Sequence, residues 1–98
     1  MPDALRPEDF RGLDAPLLVE DGSAASAHGV ALTVESVDAL PPHRMREAPF
    51  SLVLRGPRAP LLPQATYALL HPRLGRVELF LVPIAQDAQG ARYEATFN

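Results

Sequence analysis

Cysteine is absent from all 98 residues. That excludes a disulfide framework, a thiolate metal site and a cysteine nucleophile, and it leaves stability to core packing. Lysine is absent as well: the nine basic residues are all arginine, which a GC-rich coding sequence of bacterial type favours, with an arginine-based recognition surface as the lesser alternative. Tryptophan is missing and aromatics make up only 6% of the chain, so a platform of exposed rings for bases or sugars has few residues to draw on. The formal charge of −3 supplies no general attraction to nucleic acid or anionic lipid. No apolar run approaches the roughly 20 residues of a membrane span, and no basic leader precedes a long apolar stretch. The expected location is cytoplasmic, with export inside a larger assembly left open.

Glycine is scarce, 6 residues against 11 prolines, which disfavours long helices and favours short strands with frequent reversals. A chain of this length buries roughly 60–70% of its unfolded surface, enough for one core and a single β-rich domain over residues 1–98. The strands are read from period-two alternation. Leu17, Leu18 and Val19 form a short apolar run before the turn composition Glu20-Asp21-Gly22-Ser23. Val30, Leu32 and Val34 share one face, and Val37 breaks the phase, which predicts a bulge near Glu35-Ser36. Phe50, Leu52 and Leu54 alternate with Ser51, Val53 and Arg55 until Gly56-Pro57 ends the strand.

Gln64 to Leu70 and Arg76 to Val82 read as a hairpin joined by a turn from His71 to Gly75. The second of these strands is apolar on nearly both faces, the mark of a central position. A turn from Gln86 to Gly90 leads to a last strand with Tyr93, Ala95 and Phe97 on one face. It is expected to pair with Val77 to Val82 and to anchor Phe97 in the core. Ahead of the strands, a short helix between Asp3 and Gly12 carries Phe10 and Leu13 on its inner side. The predicted fold is mainly β: a small antiparallel six-stranded barrel or roll with a short N-terminal helix, closed or nearly closed because closure protects strand edges better than an open sheet does.

Chemistry-bearing patterns are sparse. His28, His43 and His71 lie in predicted loops or at strand ends without metal-ligand spacing, so neither a metal nor a cofactor is expected. Ser51 lies in a strand pattern with no GxSxG context. Glu78 and Glu94 become neighbours if the last two strands pair, and an adjacent Arg76 or Arg92 makes an ordinary cross-strand ion pair there. No catalytic set emerges. The loop His43-Arg44-Met45-Arg46 is the one concentrated basic stretch, suited to a phosphate or an acidic partner through forked arginine hydrogen bonds. With Arg55 and Gln64 it would line an open barrel end. Phe80, on the face opposite Val77, Leu79 and Leu81, is the aromatic least accounted for by a core and marks an interface if exposed.

The stretches PFSLVLRGP (49–57), LLPQATYALLHPRLG (61–75), ELFLVPI and YEATFN together resemble a bacterial family of small proteins, the domain of unknown function 6916. The match is strong over the second half and looser before it. Ala65 stands where the family pattern has glycine, so this position does not require a glycine-only backbone conformation. The resemblance implies a small β-rich domain with no reaction to carry over, and an accessory or assembly role beside phage-tail-collar-like proteins. The leading expectation is therefore a non-enzymatic protein-interaction or assembly module, engaging another protein or a second copy through a strand edge or a sheet face. The alternative is a small-ligand-binding β-barrel that uses the Arg/His-bearing loop.

Overall fold

Alternation produces six strands: β1 (Leu17–Asp21), β2 (Ala31–Ala39), β3 (Phe50–Gly56), β4 (Ala65–His71), β5 (Gly75–Asp87) and β6 (Gly90–Phe97). The structure, a computed structural model, describes residues 5–21, 29–41 and 49–97. All neighbours are antiparallel, in the order β1-β2-β3-β6-β5-β4, and β4 pairs back onto β1, so the strands form a ring. The expected N-terminal helix is instead a single 3-10 turn, Pro7–Asp9. Pro7 and Gly12, the latter at φ 68°, stand too close together for a second helical turn. The Asp9 carboxylate accepts the Arg6 N–H at 2.8 Å.

The phase break at Val37 is a bulge: the β2–β3 register slips between Val34 and Ser36. One extra residue there returns Val37 to the inner side, where it packs against the core together with Val34. The last strand departs from expectation. β6 does not pair with the stretch before Val82. Its partner on β5 is Val82 to Asp87, and it runs against β3 from Phe50↔Phe97 to Gly56↔Ala91. β5 is longer than its alternation suggested, because its first half serves β4 and its second half serves β6. Pro83 is tolerated within it because the β5–β6 ladder is already irregular between Pro83 and Ala85.

Leu17, Val19, Leu32, Leu52, Leu54, Leu69, Leu79 and Leu81 fill the interior. One end is closed by Phe10, whose ring centroid lies 6.2 Å from those of both Phe50 and Phe97. Phe50 and Phe97 stack at 4.4 Å. At the other end the segment 57–64 folds inward and buries Leu62. Its N–H donates to the Tyr93 hydroxyl at 2.9 Å, while the Tyr67 hydroxyl donates to the Pro63 carbonyl.

Burial pushes the Tyr93 phenol above its ordinary pKa, nearby Tyr67 adds to the rise, and the Leu62 N–H opposes it. A raised folded value means that this contribution to stability is complete below the unfolded value of about 10 and is lost as pH rises through the folded value. Tyr93→Phe strands the Leu62 N–H and is expected to lower the urea unfolding free energy by about 1–3 kcal/mol at neutral pH. It should also flatten the alkaline loss of stability. A variant as stable as the parent, with the same alkaline limb, would show that the hydroxyl contributes to neither.

Candidate functional site

On β5, alternate residues part company. Val77, Leu79 and Leu81 point into the ring, whereas Phe80 is 51% and Ile84 49% exposed, with Val82 half-buried between them. Phe80 lies opposite Thr66 of β4, and Val82 lies opposite Glu94 of β6. Glu94 in turn faces the half-buried Val53 of β3. The result is an apolar stripe along the outside of the strand that joins the two halves of the ring. A ring this small can point only alternate residues inward, so a strand apolar on both faces leaves one face in water. The central strand expected from sequence is thus exposed on one side.

The residues singled out from sequence do not converge. Gln64 is exposed and precedes by one residue the pair Ala65↔Leu81, which puts it at the Val82 end of the stripe. Arg55 is exposed on the outer face of β3 between Thr33 and Arg92. Arg92 faces Ala85 on β5, five residues from Phe80, or roughly 16 Å of extended chain. Arg55 therefore belongs to a different neighbourhood, a charged one. There the Arg92 guanidinium donates to Glu35 at 2.9 and 3.1 Å and to Asp87 at 3.0 Å. Those bonds, Glu35 first, raise the Arg92 pKa, while the Gln89 N–H and then Arg92 hold the Asp87 carboxyl below its ordinary value. His43, Arg44 and Arg46, like His28, lie outside the described residues.

Two further expectations resolve as structure. Glu78 lies opposite Ala68, far in register from Glu94, and neighbours Arg76, which reaches it at 4.0 Å and Glu20 at 3.5 Å. The supposed carboxylate couple is therefore an ion-pair cluster and a separate residue. His71, expected in a turn, is the buried last residue of β4. Its Nδ1 accepts the N–H groups of Arg73 and Leu74, both at 3.1 Å, so Nε2 carries the proton and donates to the Asp9 carbonyl at 2.7 Å. The ring thereby ties the N-terminal turn to the β4–β5 hairpin, with the Phe10 ring edge-on at 5.5 Å. Both nitrogens are occupied within the chain. A histidine before Pro-Arg-Leu-Gly carries no sequence signal for this.

Sequence reasoning also missed a surface groove. Between 10–14 and 34–37 lies an open groove of about 320 Å³ whose walls combine Leu13, Val34 and Val37 with Arg11, Asp14, Glu35 and Ser36. Among the described residues no three metal-ligating side chains converge. No helix among them is long and apolar enough to cross a membrane. The family described as Domain of unknown function (DUF6916) matches residues 5–97. No curated protein and no solved structure matches the chain.

Proposed function

The chain belongs to the DUF6916 family, and from a family description that carries no activity we propose that it is a non-enzymatic protein-interaction or assembly module docking through the outer face of β5. The ring is read as a small barrel that serves as a rigid platform. The observation that carries the reading is Phe80, 51% exposed on a strand that is anchored on both sides by other strands. Half-exposed Ile84 and Val82 extend its apolar surface along the same strand, and a contiguous apolar stripe rimmed by polar residues is the usual character of a protein contact. Glu78, Thr66 and Glu94 supply that rim. A place beside a phage-tail-collar-like assembly is the setting that the resemblance suggests.

The test compares the parent with Phe80→Glu. Because Phe80 packs no core position, the variant's unfolding free energy in a urea titration should stay within about 0.5 kcal/mol of the parent's. The parent is expected either to self-associate with rising concentration or to retain a defined partner from the source bacterium, and the variant to lose that association. Identical sedimentation profiles and identical captured proteins, with both chains folded, would remove the β5 face from consideration.

A further inference from the structure

His71 is 3% exposed and ends β4 at the pair His71↔Gly75, where the chain reverses into β5. Its neutral imidazole is used on both sides. Nδ1 accepts the Arg73 and Leu74 N–H groups at 3.1 Å each, and Nε2–H donates to the Asp9 carbonyl at 2.7 Å. The same carbonyl accepts an N–H of the Arg73 guanidinium at 3.2 Å. One side chain therefore latches the turn Pro7–Asp9 to the β4–β5 hairpin, and a cation already sits at the shared oxygen. Backbone bonds from Phe10 and Arg11 N–H to the Pro7 carbonyl, and from Leu13 N–H to the Phe10 carbonyl, run within the latched segment itself.

An imidazolium does not fit this position. Two backbone N–H groups point at Nδ1, and a proton there sets a third donor against them. Rotating the ring gives no relief, because both nitrogens of an imidazolium are donors. A buried cation with one of its two donors unmatched is costly, and this one stands beside Arg73. Among the described residues, Asp9 on the turn and Arg73 in the hairpin are the charged side chains at the ring. The Asp9 carboxylate already accepts the Arg6 N–H at 2.8 Å and lies 3.8 Å from the Arg73 guanidinium. Arg6, Glu8 and Arg11 on the same segment are exposed. Leu17 at the start of β1, Gly75 on β5 and the Phe50–Phe97 stack bring no ionisable group, and Arg76 reaches outward to Glu20 at 3.5 Å.

We propose that His71 is an acid-operated latch: protonation drives its ring out of the buried site, frees the Asp9 carbonyl and releases residues 5–13 from the end of the strand ring. A proton that the released side chain takes up freely, and the latched one only by giving up two bonds, shifts the population toward release as pH falls. Phe10 closes that end, with its ring edge-on to His71 at 5.5 Å and 6.2 Å from both Phe50 and Phe97. Its departure uncovers the Phe50–Phe97 stack, so the end is closed at neutral pH and apolar in mild acid. The ladders persist through the change, because none of residues 5–13 belongs to a strand.

The test takes the full ¹⁵N-labelled chain from about pH 7.5 to about pH 5.5, across the range in which histidine ordinarily titrates. Imidazole ¹⁵N shifts give the protonation of His71, and hydrogen exchange, expressed as protection factors, gives the state of the latch. The Nε2–H tautomer is expected at the higher pH, with the Arg73 and Leu74 amides protected. Their protection should fall by about ten-fold or more in step with His71 protonation, while amides of the β3–β6 ladder keep theirs. The Phe10 ring signals should follow the same curve, and raising the pH should restore them. His71→Asn is the comparison: its side-chain oxygen accepts the same two N–H groups and takes up no proton, so the response should vanish. A response carried by Asp9, His28 or His43 would survive in that variant. Three results would overturn the proposal: His71 protonates with Arg73, Leu74 and Phe10 unmoved, His71 stays neutral at the lower pH, or His71→Asn keeps the response. The first two are read on the parent chain alone and stand even where the variant does not fold. Phe80→Glu should leave the latch unchanged, since the outer face of β5 takes no part in it.

Discussion

A chain cut after Arg92 is expected not to fold. Five of the seven register pairs that join β3 to β6 lie beyond that point, from Leu54↔Tyr93 to Phe50↔Phe97. Their loss opens the ring between β3 and β5. It also removes fully buried Tyr93 and Ala95 from the core and Phe97 from its stack on Phe50. Each large apolar side chain lost costs about 1.5–3 kcal/mol of burial, the Leu62 N–H loses its acceptor, and strand edges on β3 and β5 are left without a partner. A domain of this length has a total stability of about 5–15 kcal/mol, so the combined loss removes most or all of it. Circular dichroism and a urea titration decide the matter: the truncated chain should show no cooperative transition. A retained sigmoidal transition would mean that the five strands before β6 form a core by themselves.

The largest single-residue effect is expected at Gly90. It opens β6 after the two-residue turn at Ala88-Gln89, in which the Asp87 carboxylate accepts the Gln89 N–H at 2.8 Å. Its φ is +140°, a conformation that side chains oppose, and a Cβ there would stand 2.4 Å from the Gly56 carbonyl oxygen. That oxygen is backbone in a paired strand and cannot swing aside, so Gly90→Ala must separate β3 from β6 or rebuild the turn. The expected loss is about 3 kcal/mol or more, strain and overlap together. Gly75→Ala is the control. Gly75 also has positive φ, +78°, but nothing lies within 4 Å of its missing Cβ, so only the conformational cost of about 1–2 kcal/mol applies. If the two variants unfold at the same urea concentration, the close approach of Gly90 to Gly56 makes no contribution of its own.

Local pattern carried far because strand alternation is set by near neighbours. The six strands, the inner set Phe50, Leu52 and Leu54, and the bulge signalled by Val37 were all legible, since each depends only on which residues in a short stretch are apolar. The helix between Asp3 and Gly12 was misread for the converse reason. Phe10 and Leu13 have helical spacing, yet Pro7 and Gly12 leave room for one turn, and Phe10 is buried because it plugs the ring end. Of the residues considered for a site, Phe80 was legible as an anomaly because its neighbours already filled a face. Gln64 and Arg55 were legible as polar strand-end residues, but not as members of separate surfaces.

By itself, then, the sequence determined the class of the protein: a cysteine-free, strand-rich chain whose apolar residues recur every second position, with Pro57 and Gly90 marking where a strand ends or turns. Tertiary structure decided everything that depends on who stands beside whom. It assigned β6 to β3 along its whole length and to only the later half of β5, and it buried His71 between the Asp9 carbonyl and two turn N–H groups. It also turned Phe80 outward and ended the β1–β2 register at Leu17↔Leu32. The physical reason is that alternation records which side of a strand is apolar but not which strand comes next. Closing six strands into one ring selects the register, and the register selects which side chains meet water.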